Sequence, residues 1–215
     1  MATGCCPWSE LSNKEATSQR PPESSLLNLN QLFSHMSDIL LISGSPSAQS
    51  RSGALLQYAV ERLNAEGFST DLVSVRDYPA EDLILGKYDS PSFVETKRLV
   101  AEARGLIVAT PVYKAAYTGS LKALLDILPT QALRNKTVLP IATGGSPAHL
   151  LVLDYALKPV LGALGASDIL QGVYVIDEQL QLGTKGGLFL DLEIRERFHR
   201  ELNSLTAKLK PLAFA

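Results

Sequence analysis

Cysteine is almost missing from this chain of 215 residues: Cys5 and Cys6 are the whole supply, adjacent in the first ten positions. That excludes a disulfide framework, a cysteine-based metal spacing and a cysteine nucleophile in the body of the chain. A reducing cytoplasm is the expected compartment. A surplus of either charge is missing too. Lys+Arg 20 against Asp+Glu 22 gives a formal net charge of -2. No basic excess exists for wrapping nucleic acid, and no basic-aromatic interleaving is present. A near-neutral total still leaves room for one local positive pocket. Long apolar runs are absent: the stretch around 38–43 falls far short of the roughly 20 residues a spanning helix needs. Neither paired carboxylates nor a metal cluster can be picked out, so no catalytic residue and no metal ligand is expected.

What is present begins after residue 35. Residues 1–35 are polar and serine-rich, with Pro21-Pro22 and no sustained period, and read as a disordered N-terminal extension. They lack the basic start and apolar centre of a secretory signal. From Met36 the chain, 46% hydrophobic overall, has enough apolar residues for one substantial core, so 36–210 is expected to be one domain.

Within it, short apolar runs alternate with helical spacing. Strands are expected at 39–43, 69–75, 106–110, 137–143 and 168–177. Helices are expected at 52–66, 92–103, 117–128, 148–164 and 188–209, the fourth bent at Pro159, which removes a backbone donor. Leu192, Ile194, Phe198, Leu202, Leu205 and Leu209 mark one side of the last. Residues 76–90 read as a loop broken by Pro79 and Gly86. Five buried strands each followed by a helix imply an α/β fold, a parallel sheet covered on both faces. For a domain of this size the expected order is 2-1-3-4-5, the flavodoxin-like arrangement. Ligands then sit beyond the carboxyl ends of the strands, at the switch between the first and third. Attention falls on the loops after Ser43, Thr110 and Thr143.

Those loops are the most unusual stretches of the chain. The first, ISGSPSAQSRS at 42–52, packs five serines and an arginine between a strand and a helix. It contains neither G-x-x-x-x-G-K-[ST] nor G-x-G-x-x-G. What remains is a set of backbone donors and hydroxyls feeding a helix N-terminus, which suits a terminal phosphate. Ser45, Ser50 and Ser52 can each donate, and Arg51 adds a fixed charge with a fork of donors. A helix cap accounts for one serine, not for the cluster.

The second loop is ATPVYKAAYTGSLKALLD. Pro111 ends the strand, and Val112, Tyr113 and Lys114 offer irregular backbone and an aromatic wall to a flat heterocycle. Tyr117 suits either the core or a subunit contact, and Lys122 a solvated helix face. The third loop, ATGGSPAHLL, brings Thr143, Gly144 and Gly145, where missing β-carbons let backbone approach a ligand. Pro147 is placed for the first turn of a helix. His149 is more simply a satisfied polar residue than a chemical group.

Taken together, GSPSAQSRS, TPVYKAAYTGSLKALLD and LPIATGGSPAHLLVLDYALKPVLGALGA resemble the NADPH-dependent FMN reductases of flavodoxin-like fold. The likeness is greatest to the reductase component of two-component alkanesulfonate monooxygenase systems and runs from about Ile39 to at least Asp177. General reductases of this kind show P-x-Y-x-x-S-x-x-G-x-L-K. Here PVYKAAYTGSLK has alanine at that serine and a tyrosine just after it. The resemblance implies that Ser45, Ser50, Arg51 and Ser52 hold the FMN phosphate. It implies that Pro111, Val112, Tyr113 and Lys114 line the isoalloxazine, with Thr143, Gly144 and Gly145 on its other side. It places Tyr117 in a π-helical turn at a tetramer interface and Asp177 near the flavin of a neighbouring subunit. The implied activity is hydride transfer from NADPH to FMN, with reduced FMN passed to a partner monooxygenase by a homo-oligomer, dimer or homotetramer. Such chemistry belongs to the cofactors, which fits a sequence without a nucleophile. Two alternatives stay open: a quinone, azo-dye or metal-ion reductase with prosthetic FMN, and a flavodoxin-like electron carrier.

Overall fold

The computed structural model describes residues 37–183 and 187–210. The expectations for residues 1–35 lie outside them. β1 (Ile39–Ser43) is buried along its whole length, as a central parallel strand must be. Helix α1 (Arg51–Ala65) follows, turning Leu55, Leu56, Ala59 and Leu63 onto the sheet. Ser50 starts it by accepting from the Gly53 amide at 3.1 Å. β2 (Thr70–Ser74) lies beside β1. The stretch expected as a plain loop then holds a 3₁₀ turn (Val75–Asp77) and a short helix, α2 (Ala80–Ile84). Pro79 breaks the chain by preceding that helix rather than preventing it. α3 (Val94–Glu102), β3 (Gly105–Pro111), α4 (Gly119–Asp126) and β4 (Thr137–Gly144) come next.

The sheet order is β2-β1-β3-β4-β5, all parallel, so the flavodoxin-like arrangement expected from the alternation holds. The fifth strand, however, is two pieces, β5 (Asp168–Ile169) and β6 (Val173–Ile176), both paired with β4. Val138 pairs with Ile169 and Ile141 with Val173, so the edge strand carries one more residue than β4 over this span. The cause sits in β4. Val138 accepts from Leu170 on the outer side; by strand alternation Pro140 faces the same way and has no N–H to offer. Opposite it Gly172 takes φ +89°, and a β-carbon there would sit 2.6 Å from the Pro140 carbonyl oxygen. A bulge closes the gap in the ladder.

Pro159 also acts one turn earlier than expected. Instead of one bent helix over 148–164, the chain makes a 3₁₀ turn (Pro147–His149), a π-helical segment (Leu153–Leu157) and then α5 (Lys158–Ala163). Proline cannot return an amide to the Tyr155 carbonyl, and Lys158 bonds back to Leu153 with the wider spacing. The C-terminal portion departs further. β7 (Leu180–Leu182) and β8 (Leu188–Leu190) form an antiparallel ribbon, and α6 starts only at Leu192 and ends at Leu209. Leu192 itself points outward, while Ile194, Phe198, Leu202, Leu205 and Leu209 are buried.

Two apolar layers result. Leu55, Leu56 and Leu63 of α1 and Phe198 and Leu202 of α6 cover one face of the sheet through Ile39, Leu41, Ile107 and Ile141. Phe93, Leu99, Leu121, Leu125 and Leu161 cover the other through Leu40, Ile42, Leu106 and Val138. Each fully buried leucine or isoleucine contributes roughly 1.5–3 kcal/mol. These layers hold the strand ends, and with them the three loops, in place.

Candidate flavin site at the carboxyl edge of the sheet

The three loops are joined at the backbone. The Gly44 amide donates to the Ala109 carbonyl at 2.7 Å, and the Val112 amide to the Thr143 carbonyl at 2.8 Å. Thr118 completes the joint: its hydroxyl donates to the Gly44 carbonyl at 2.5 Å and accepts from the Leu121 amide at 3.1 Å, capping α4. This close approach requires glycine at 44, since a β-carbon would lie 2.8 Å from the Leu121 β-carbon.

In the first loop Ser45 and Ser52 are buried. The Ser50 and Ser52 hydroxyls lie 2.8 Å apart, and Ser45 accepts from the Ser47 amide at 3.2 Å. Among the described residues, the amides of Gln49, Arg51 and Ser52 donate to no protein acceptor. They surround the start of a 15-residue helix, where partial positive charge gathers. The Arg51 guanidinium, half exposed, lies 3.3 Å from Asp177 Oδ2. Asp177 follows β6 directly and meets Arg51 within the same chain.

The second loop folds back on itself. Tyr113 and Ala116 pair across a turn whose two inner residues, Lys114 (φ 50°) and Ala115 (φ 65°), occupy the left-handed region. Both are non-glycine, so the turn carries backbone strain. Tyr113 and Lys114 project into solvent, and Pro111 and Val112 are half-buried. Tyr117 packs partly against the core, and no π-helical turn forms at it. Thr118 is extended and acts as the cap, so the helix cannot begin before Gly119. The π-helical segment lies instead at Leu153–Leu157, with Tyr155 exposed on it. Lys122 pairs with Asp126 at 2.6 Å on the solvated face of α4.

In the third loop Thr143 and Gly144 are buried and Gly145 is exposed. The Tyr174 hydroxyl donates to the Ser146 carbonyl at 2.6 Å and fills the space a Gly144 side chain would need. Burial, then the charge of Asp177, push the Tyr174 phenol up, which keeps it a donor. The space beside Gly145 is open: among the described residues, a β-carbon there would meet only the Asp177 carboxylate within 4 Å. His149 is exposed and makes no side-chain hydrogen bond among the described residues. Leu150, Leu151 and Tyr155 are also exposed beyond this loop.

The donor set suits FMN: acceptorless amides, hydroxyls and one arginine at a helix start, next to a strip of glycine backbone on which a flat ring can lie. One neighbouring feature was invisible in the sequence. A cavity of about 1030 Å³ opens between α2 and α4, lined by Arg76, Tyr78, Leu83, Tyr88 and Lys122. It touches the first loop at Pro46 and the second at Tyr113 and from Thr118 into α4, and none of its lining residues belongs to the third loop. Its existence depends on α2, which the breakers in 76–90 concealed. Within its wall, burial pushes the Tyr78 phenol up, against the effect of its short hydrogen bond to Thr96.

The sheet order and its helical layers place the chain among the flavodoxin-like α/β proteins. The chain belongs to the NADPH-dependent FMN reductase family, which matches residues 37–181. An FMN reductase (NADPH) of Pseudomonas putida is 49% identical over 80% of this chain and 87% of its own length. An FMN reductase (NADPH) of Escherichia coli is 51% identical over 66% of this chain and 74% of its own. Among solved structures, the apo form of an NADH:FMN oxidoreductase superposes with a TM-score of 0.73 at 36% identity. That likeness covers 82% of this chain and 92% of the other.

Proposed function

We propose that this chain transfers hydride from NADPH to FMN and releases the reduced flavin to a partner monooxygenase of the alkanesulfonate type. The observation that carries the reading is that Gly44, Ala109, Val112, Thr118 and Thr143, at the bases of the three loops, are joined by hydrogen bonds at one sheet edge. In this reading Ser45, Ser50, Arg51 and Ser52 anchor the phosphate. Pro111, Val112, Tyr113 and Lys114 form one wall for the ring, and Thr143, Gly144 and Gly145 the other. FMN held there would supply the hydride-accepting chemistry, with the hydride coming from NADPH and the balancing proton from solvent. The protein's share is positioning: the loops hold the ring flat and leave its outer face open for the nicotinamide.

We propose residues 36–210 as the reductase domain, working in the cytoplasm as a homo-oligomer, dimer or tetramer, with Tyr117 at the interface. Exposed Tyr113, Leu150, Leu151 and Tyr155 around the site support self-association. The half-exposed anchor, with Arg51 at 45% exposure, supports flavin as a substrate that leaves. The test is steady-state NADPH oxidation by colourless protein as added FMN is varied. Saturable turnover that requires added FMN is expected. Turnover without added flavin, by a yellow protein that speeds up with quinones, would replace the reading with that of a prosthetic-flavin reductase.

A further inference from the structure

Arg51 is the fixed positive charge of the first loop, yet it faces a carboxylate of its own chain. Its Nη1 lies 3.3 Å from Asp177 Oδ2. The two residues come from opposite ends of the domain's sequence and meet because β6 extends the sheet edge beside β4. The same Oδ2 lies 3.8 Å from the β-carbon position of Gly145. Asp177 therefore stands between the arginine of the first loop and the glycine strip of the third. Its charge also reaches Tyr174, which braces that third loop.

We propose that Asp177 competes with the FMN phosphate for Arg51 and so loosens flavin binding, making Asp177 a positioning residue that sets how readily flavin leaves. The proposal rests on the reading of residues 45–52 as the phosphate anchor. Both side chains are roughly half exposed, at 45% and 40%. At that exposure an ion pair is weak enough to exchange partners. A phosphate has two advantages over the carboxylate: more charge, and the amides of Gln49, Arg51 and Ser52 as further donors. It wins Arg51, but it then lies close to a carboxylate left without its partner. Like-charge repulsion and the lost pair both lower affinity. Riboflavin, which lacks the phosphate, meets neither cost.

The experiment is fluorescence titration of FMN and of riboflavin into the full-length wild-type protein, Asp177→Asn, Arg51→Ala and the double variant. Stopped-flow release of FMN provides the rate. Asp177→Asn should bind FMN about tenfold more tightly and release it correspondingly more slowly, with riboflavin unchanged within about twofold. Most of that gain should vanish in the Arg51→Ala background. Asp177→Ser should reproduce the tightening, which separates loss of charge from any effect of the amide. FMN binding that is unchanged or weaker in both Asp177 variants, while the wild type still prefers FMN to riboflavin, overturns the competition alone. A wild type that binds riboflavin as tightly as FMN overturns the phosphate anchor, and the competition with it.

Discussion

At the amino ends of the strands, charged side chains are hydrogen-bonded within the protein; at the carboxyl ends, backbone donors of the first loop are left without acceptors among the described residues. Asp38 accepts from the Ser69 amide and hydroxyl at 3.0 and 2.9 Å and from Arg104 at 3.2 Å. Arg104 also donates to the Leu209 carbonyl, closing α6 onto the sheet. The Lys136 ammonium donates to the Ala101 and Ala103 carbonyls, and Asp168 accepts from Thr137 and Lys208. At the other end, the amides of Gln49, Arg51 and Ser52 lack acceptors among the described residues, and aromatic and aliphatic side chains stand in solvent. One sheet thus separates its tasks by direction: closed, satisfied contacts for stability at one end, unsatisfied groups for a ligand at the other.

The sharpest way to test that division is Arg51→Ala. Loss of a charge-assisted hold on phosphate, about 2–3 kcal/mol, should weaken FMN binding by about 30- to 150-fold. The melting temperature should barely move, because an exposed ion pair contributes little. Calorimetric titration beside a melting curve reads both quantities. Gly44→Ala should breach the division, because the joint of the loops is also part of the core. Its β-carbon would press on Leu121 and on the Ala109 carbonyl at 3.1 Å. A cost of about 1–3 kcal/mol is expected in denaturant unfolding, with weaker FMN binding as well.

Asp38→Ala gives the opposite pattern to Arg51→Ala. Removing the acceptor of three donors should cost about 1–2 kcal/mol of stability and leave FMN affinity within twofold. The smallest effect concerns Asp168, whose carboxyl is held below its ordinary range by hydrogen bonds from Lys208 and then Thr137. A folded pKa lower than the unfolded one contributes stability above the unfolded value, and that stability is lost as pH falls through the folded value. Between pH 6 and 3 the wild type should therefore lose slightly more stability than Asp168→Asn, by less than about 1 kcal/mol after allowance for solvent screening.

Much of this organisation was legible in the residues. Residues 39–42 and 138–142 are unbroken apolar runs with glycine close behind, and a strand buried on both faces has little other way to look. The three loops stood out because serines, glycines and prolines crowd together where apolar runs end. What stayed hidden depends on neighbours. Nothing local in DILQGVYVID announces a bulge; its cause is Pro140, about thirty residues earlier and one strand away. Leu188–Leu190 repeats the apolar spacing of a helix start and becomes a strand because Leu180–Leu182 lies opposite. The Arg51–Asp177 contact joins positions that only the sheet brings together. The cavity beside α2 escaped notice because a five-residue helix between breakers leaves too short a period to read.

Amide hydrogen exchange with and without FMN puts the central claim to its most direct test. FMN should slow exchange at Gln49, Arg51, Ser52 and residues 143–147, and leave the amino ends around Asp38, Arg104 and Thr137 unchanged. Protection confined to 76–88 and 119–126, with 49–52 unaffected, would place the flavin in the neighbouring cavity and contradict the account.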